Sequence, residues 1–156
     1  MHVIAVDLSS DIPRAADGST REEAAALADA MASHSTVDVK VTNVDSRTIG
    51  DSFSQMTFDV ADFKAFEAKS PQLGATLFTH VFAERLFSAN NPGAGFQSSH
   101  AAALGPEAAV MGAATRTESG TQLMNGWTGA TFDYLDKKGN PVSSYSFQVD
   151  PNWAVH

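Results

Sequence analysis

Apolar positions recur every three to four residues through the middle of this chain and every two residues in its last third, so the pattern predicts helices followed by strands. The N-terminal part mixes both rhythms. Residues 3–8 form a nearly continuous apolar run, the pattern of a strand covered on both faces. Thr20 and Glu23 then make a capping box, and Ala24, Leu27, Ala28 and Met31 recur at helical spacing, which predicts a first helix ending near residue 33. In residues 37–41 the valines Val37, Val39 and Val41 alternate with Asp38 and Lys40, predicting a half-buried strand with the valines on one face. Residues 43–54 read as loop, and residues 55–60 as a short strand with Met56 and Phe58 on one face and Asp59 placed to cap the next helix.

Helical spacing then dominates. Residues 61–69 carry Phe63 and Phe66 on one side and Lys64, Glu67 and Lys69 on the other. Ser70-Pro71 opens a further helix, because proline suits the first helical position. That helix, residues 71–88, spreads Leu73, Leu77, Phe78, Val81, Phe82 and Leu86 over much of its circumference, as a largely buried helix does. Residues 89–95 form a turn rich in Asn, Pro and Gly, and residues 96–104 resume a helix with small alanines. Gly105-Pro106 predicts a kink there, or a fresh short helix running through Val110 and Met111.

From Thr115 the grammar becomes that of strands, over residues 116–123, 130–135 and 142–149. Phe132 and Tyr134 share one face, as do Tyr145, Phe147 and Val149, and residues 137–140 supply the hairpin turn. The expected architecture is an α+β domain spanning residues 1–156, with a mixed sheet, an antiparallel C-terminal meander, and a helical middle covering one face.

Composition narrows the function classes. The chain has 156 residues with 43 % hydrophobic content, enough for one folded core. With 18 acidic against 10 basic side chains, and the cations scattered, phosphate-backbone binding is not expected. The absence of cysteine removes disulfides, thiolate metal sites and thiol nucleophiles. No apolar run reaches the length of a transmembrane helix and no signal peptide opens the sequence, so a soluble, cytoplasmic protein is the expectation.

One polar constellation stands out against the apolar helices. His80 and Glu84 are one helical turn apart, and His100 and Glu107 return to one face if the helix through Pro106 is continuous. If the two helices pack antiparallel, the four groups converge. His80, Glu84 and His100 then offer ligands to a divalent metal such as zinc, manganese or iron, with an open position for water. Without metal the same groups suit acid and base chemistry, and Arg116 with Glu118, two apart in a strand, extends the site as an anion clamp and a carboxylate. A purely structural network of histidines satisfied by glutamates also accounts for the pattern. No His-Glu-x-x-His motif and no Gly-x-Ser-x-Gly elbow is present, and Asp7 and Asp11 lack the spacing of known aspartate sites.

The leading expectation is a small hydrolase or metal-dependent enzyme using His80, Glu84, His100, Glu107 and Arg116. A non-catalytic acidic module that binds a protein partner, through loops at residues 9–19 and 43–54, is the alternative. A small-molecule carrier is another, with a cavity beneath the helix at residues 71–88 lined by Phe78, Phe82 and Phe87.

Overall fold

The computed structural model describes residues 37, 39–42 and 48–156. The strand expected over residues 3–8, the helix ending near residue 33, Asp7, Asp11 and the loop at residues 9–19 lie outside them. In chain order the elements are β1 (Lys40–Thr42), β2 (Asp51–Ser52), β3 (Thr57–Asp59), α1 (Val60–Lys69), α2 (Pro71–Asn90), α3 (Phe96–Val110), β4 (Thr115–Gln122), a 3-10 turn (Met124–Gly126), β5 (Thr128–Leu135) and β6 (Pro141–Val149). The class is α+β. Its strands form two sheets: a small mixed one, in which β3 pairs parallel with β1 and antiparallel with β2, and the antiparallel meander β4-β5-β6.

Local chemistry explains most boundaries. Asp59 ends β3 and caps α1, its carboxylate accepting from the Ala61 N–H at 2.9 Å. Pro71 occupies the start of α2, although the Ser70 hydroxyl makes no capping bond. The expected strand over residues 55–60 is shorter. Met56 adopts φ 55°, a turn conformation, and is exposed, so only Thr57 to Asp59 pair. Val41 likewise departs from the buried valine face: it is 57 % exposed, on a strand that forms the edge of its sheet among the described residues.

At Gly105-Pro106 the helix does not break. α3 runs through both residues to Val110, the ring of Pro106 being accommodated within it at the loss of one backbone bond. Glu107 therefore stays on the face of His100. The five-residue turn after Asn90 folds α3 back on α2, and Gln72 Nε2 donates to the Val110 carbonyl at 2.9 Å near the far end of the pair, the pairing of antiparallel helices. Ala103 and Ala108, both fully buried, allow close approach.

The core joins the helices to the meander. Phe66 of α1 stacks on Phe132 and meets Phe147 edge-on, with centroids 6.2 and 5.0 Å away, while Leu73, Ala108, Met111, Ala130, Tyr134 and Val149 complete the layer. Register sets the polar edge of this layer: Arg116 pairs with Tyr134 and Glu118 with Phe132, so both charged side chains stand on the helix-facing side of β4. The C-terminal tail returns antiparallel to β6, with Val155 bridging Val149.

Between these layers lies a cavity of about 480 Å³. Leu73, Leu77 and His80 of α2 line it, together with residues of the segment after Thr48, the meander and Trp153 of the tail. The helix phenylalanines expected to line such a cavity face elsewhere: Phe78 packs on Phe58, Phe63 and Phe82. One glycine shapes the cavity wall. Gly50 sits at φ 76°, its N–H donates to Asp62 at 2.7 Å, and a Cβ there would stand 2.5 Å from Leu77 Cδ1.

Candidate functional site

The antiparallel α2–α3 pair brings His80, Glu84, His100 and Glu107 together, and β4 adds Arg116 and Glu118. His80 is the hub. Its Nδ1 lies 2.7 Å from Glu107 Oε2, and its Nε2 lies 3.2 Å from Glu84 Oε2 and 3.1 Å from His100 Nδ1. His100 Nδ1 is 3.5 Å from the same Glu84 oxygen. Glu84, Glu107 and His80 are buried, and His100 is half-buried against the exposed Phe96 ring, 5.1 Å away.

A second tier holds Glu107. The Tyr134 hydroxyl donates to its Oε1 at 2.8 Å, and Thr76, 3.4 Å from that hydroxyl, donates in turn to the Leu73 carbonyl. Arg116 Nε stands 3.2 Å from Glu107 Oε1 as an ion pair, without the alignment of a hydrogen bond, and its guanidinium lies 4.0 Å over the Phe132 ring. Arg116 also reaches the exposed Glu118 at 3.4 Å. Glu84 Oε1 has no hydrogen-bond partner among the described residues, an unusual state for a buried carboxylate oxygen.

The sequence pattern located His80, Glu84, His100, Glu107, Arg116 and Glu118, and all six are gathered here. It missed Tyr134 and Thr76. The signal for Tyr134 was present, since a tyrosine on the buried face of a strand needs a partner for its hydroxyl. Nothing in the spacing marked Thr76 as more than a polar residue in α2.

The two imidazoles are driven apart in basicity. Burial pulls His80 down, but the Glu107 and Glu84 carboxylates at its ring nitrogens outweigh it, and its pKa rises from 6.5 to about 9. His100 is lowered by burial and by the positive charges of His80 and Arg116, against the pull of Glu84. Burial and the Glu107 charge raise Tyr134, keeping its proton in place to donate.

These shifts predict a stability profile for the metal-free protein. The folded state holds the His80 proton more tightly than the unfolded chain, so this stabilisation is complete below pH 6.5 and is lost as pH rises through about 9. His100 acts oppositely, its contribution being lost as pH falls below 6.5. Urea unfolding should therefore show maximal stability near pH 6.5 and, at a shift from 6.5 to about 9, a loss on the order of 3 kcal/mol on the alkaline side. In His80→Gln that alkaline limb should disappear.

No protein-family model, no curated protein and no solved structure matches this chain. Among the described residues no helix is long and apolar enough to cross a membrane.

Proposed function

We propose that this chain is a divalent-metal-dependent hydrolase whose ion is held by His80 Nε2, His100 Nδ1 and Glu84 Oε2. One observation carries the reading. The three atoms stand 3.1, 3.2 and 3.5 Å apart, and four ligands around zinc at its usual ~2.0–2.1 Å would be spaced ~3.3 Å. His80 donates through Nδ1 to Glu107, and its Nε2 faces both Glu84 Oε2 and His100 Nδ1. A shared N–H proton satisfies such a triangle, and its dimensions also suit a metal ion. Beside it, Glu84 Oε1 has no hydrogen-bond partner among the described residues.

Each residue has a place in this scheme. Glu107 accepts from His80 Nδ1, fixing its tautomer and ring orientation as a carboxylate behind a metal-bound imidazole does. Arg116 and Tyr134 hold Glu107 and are positioning residues. His80 and His100 both line the cavity, so an ion that they held would be within reach of a ligand there. A zinc-class ion supplies Lewis acidity and an ionised water near neutral pH. In the hydrolysis, the water oxygen bonds to a carbonyl carbon as the bond to the leaving group breaks, and a water proton goes to that group.

Titration of metal-free protein with Zn²⁺ should bind one equivalent and release protons, because His80 must give up its Nε2 proton. His100→Ala is the cleanest disruption, since His100 is the most exposed of the three ligands. It should lower affinity by roughly a hundredfold or more. A protein that holds no zinc at micromolar concentrations, and gains no thermal stability from it, overturns the metal centre. The split basicity of His80 and His100 then favours the second reading, metal-free acid and base catalysis at the same cavity.

A further inference from the structure

We infer that the cavity accepts an uncharged substrate in which an aromatic-sized apolar group lies two to three bonds from the reacting carbonyl; this rests on the hydrolase reading of the same site. Distance along α2 sets the length of that substrate. Leu77 and Leu73 precede His80 by three and seven residues, and all three line the cavity. At the helical rise their backbone positions lie ~4.5 and ~10 Å along the axis from His80. The apolar end thus starts about one turn from the imidazole and continues for another, enough for a phenyl ring on a two-carbon link.

Apolar side chains from several elements flank that line, interspersed with the polar Thr48, Ser52, Ser54 and Thr76. Ile49 comes from the loop pinned by Gly50, Phe66 from α1 and Phe132 from β5, and Phe66 and Leu73 are each only 1 % exposed. Phe53, Phe96 and Trp153 also line the cavity and belong to three separate segments, so a ring entering between them meets aromatic surface.

The charges favour a neutral occupant. Every ionised group in the described lining already has an opposite: Arg116 stands between Glu107 and Glu118 at 3.2 and 3.4 Å, and His80 is 2.7 Å from Glu107. A carboxylate or ammonium on the substrate would have to break one of these pairs, and among the described residues no lining cation is left over to hold an anion. This leaves Arg116 with the task of bracing Glu107.

The test has two arms on the full chain. Metal-free protein labelled with ¹⁵N is titrated with 3-phenylpropanamide and with propanamide. The phenyl compound should shift the amides of Ile49, Leu77 and Phe132 at concentrations where propanamide does not. Zinc-loaded protein is then titrated with 3-phenylpropanohydroxamate, acetohydroxamate and the monohydroxamate of succinate. The phenyl tail should tighten binding about ten- to hundredfold over acetohydroxamate, as burial of a ring predicts, and the carboxylate tail should give no gain. If zinc binds but the phenyl tail adds nothing, or the carboxylate binds best, the substrate inference falls and the metal reading stands. If zinc does not bind, the metal reading falls and the amide arm decides the cavity: shifts at those residues sustain an apolar neutral ligand, and their absence at millimolar amide overturns it.

Discussion

Replacing Glu107 with alanine should destabilise the fold by about 3–5 kcal/mol, the cost of stripping one partner from a buried ionic network. Three groups lose their acceptor or counter-charge in one step: the His80 imidazole at 2.7 Å, the Tyr134 hydroxyl at 2.8 Å and the Arg116 guanidinium at 3.2 Å. Thr76, 3.4 Å from the Tyr134 oxygen, is too distant to replace that bond well, and Glu118, being exposed, screens Arg116 poorly. Glu107→Gln keeps the volume and one acceptor oxygen, so its urea midpoint should fall between those of wild type and alanine. Its amide nitrogen must still face one of the donors, which prevents full rescue. A Glu107→Ala midpoint equal to wild type would mean that the network contributes nothing to folding.

Phe66→Ala should cost a similar amount, about 3–5 kcal/mol, by a different cause. The ring is 1 % exposed and contacts Phe132 and Phe147, so its loss opens a void where α1 meets the meander. Because Phe66 also lines the cavity, the void adds to space already present. The three proposed ligands sit on α2 and α3, so zinc affinity of the folded variant should stay within a few-fold of wild type while the unfolding midpoint drops. Equal loss of both would show that the site depends on the whole layer.

The helices and meander were legible in the sequence because their signals are local. Asp59 as a cap, Pro71 at a helix start, and the shared face of Phe132 and Tyr134 each arise from side-chain chemistry within a few residues. The site was legible for the same reason, as four polar residues on apolar helical faces. What the sequence could not decide was whether α3 survives Gly105-Pro106, since proline disfavours but does not forbid continuation and the packing of α3 on α2 settles it. Val41 shows the reverse failure: alternation marks which side chains share a face and says nothing about what covers that face. Met56 fails through backbone geometry, its left-handed turn carrying no composition signal.

Because α3 is continuous, polar side chains fix how it lies along α2. α2 contributes His80 and Glu84, and α3 contributes His100 and Glu107, so a slide of one helix past the other by a single turn, ~5.4 Å, would break every contact between the two pairs at once. The site is thus a register lock for the helical hairpin. The connecting turn is relieved of that duty: Gly93 and Gly95 are exposed with nothing within 4 Å of where a side chain would begin. Chain can be added between the two helices at little more than the entropy of a longer loop, while one methylene added at Glu107 would be felt throughout.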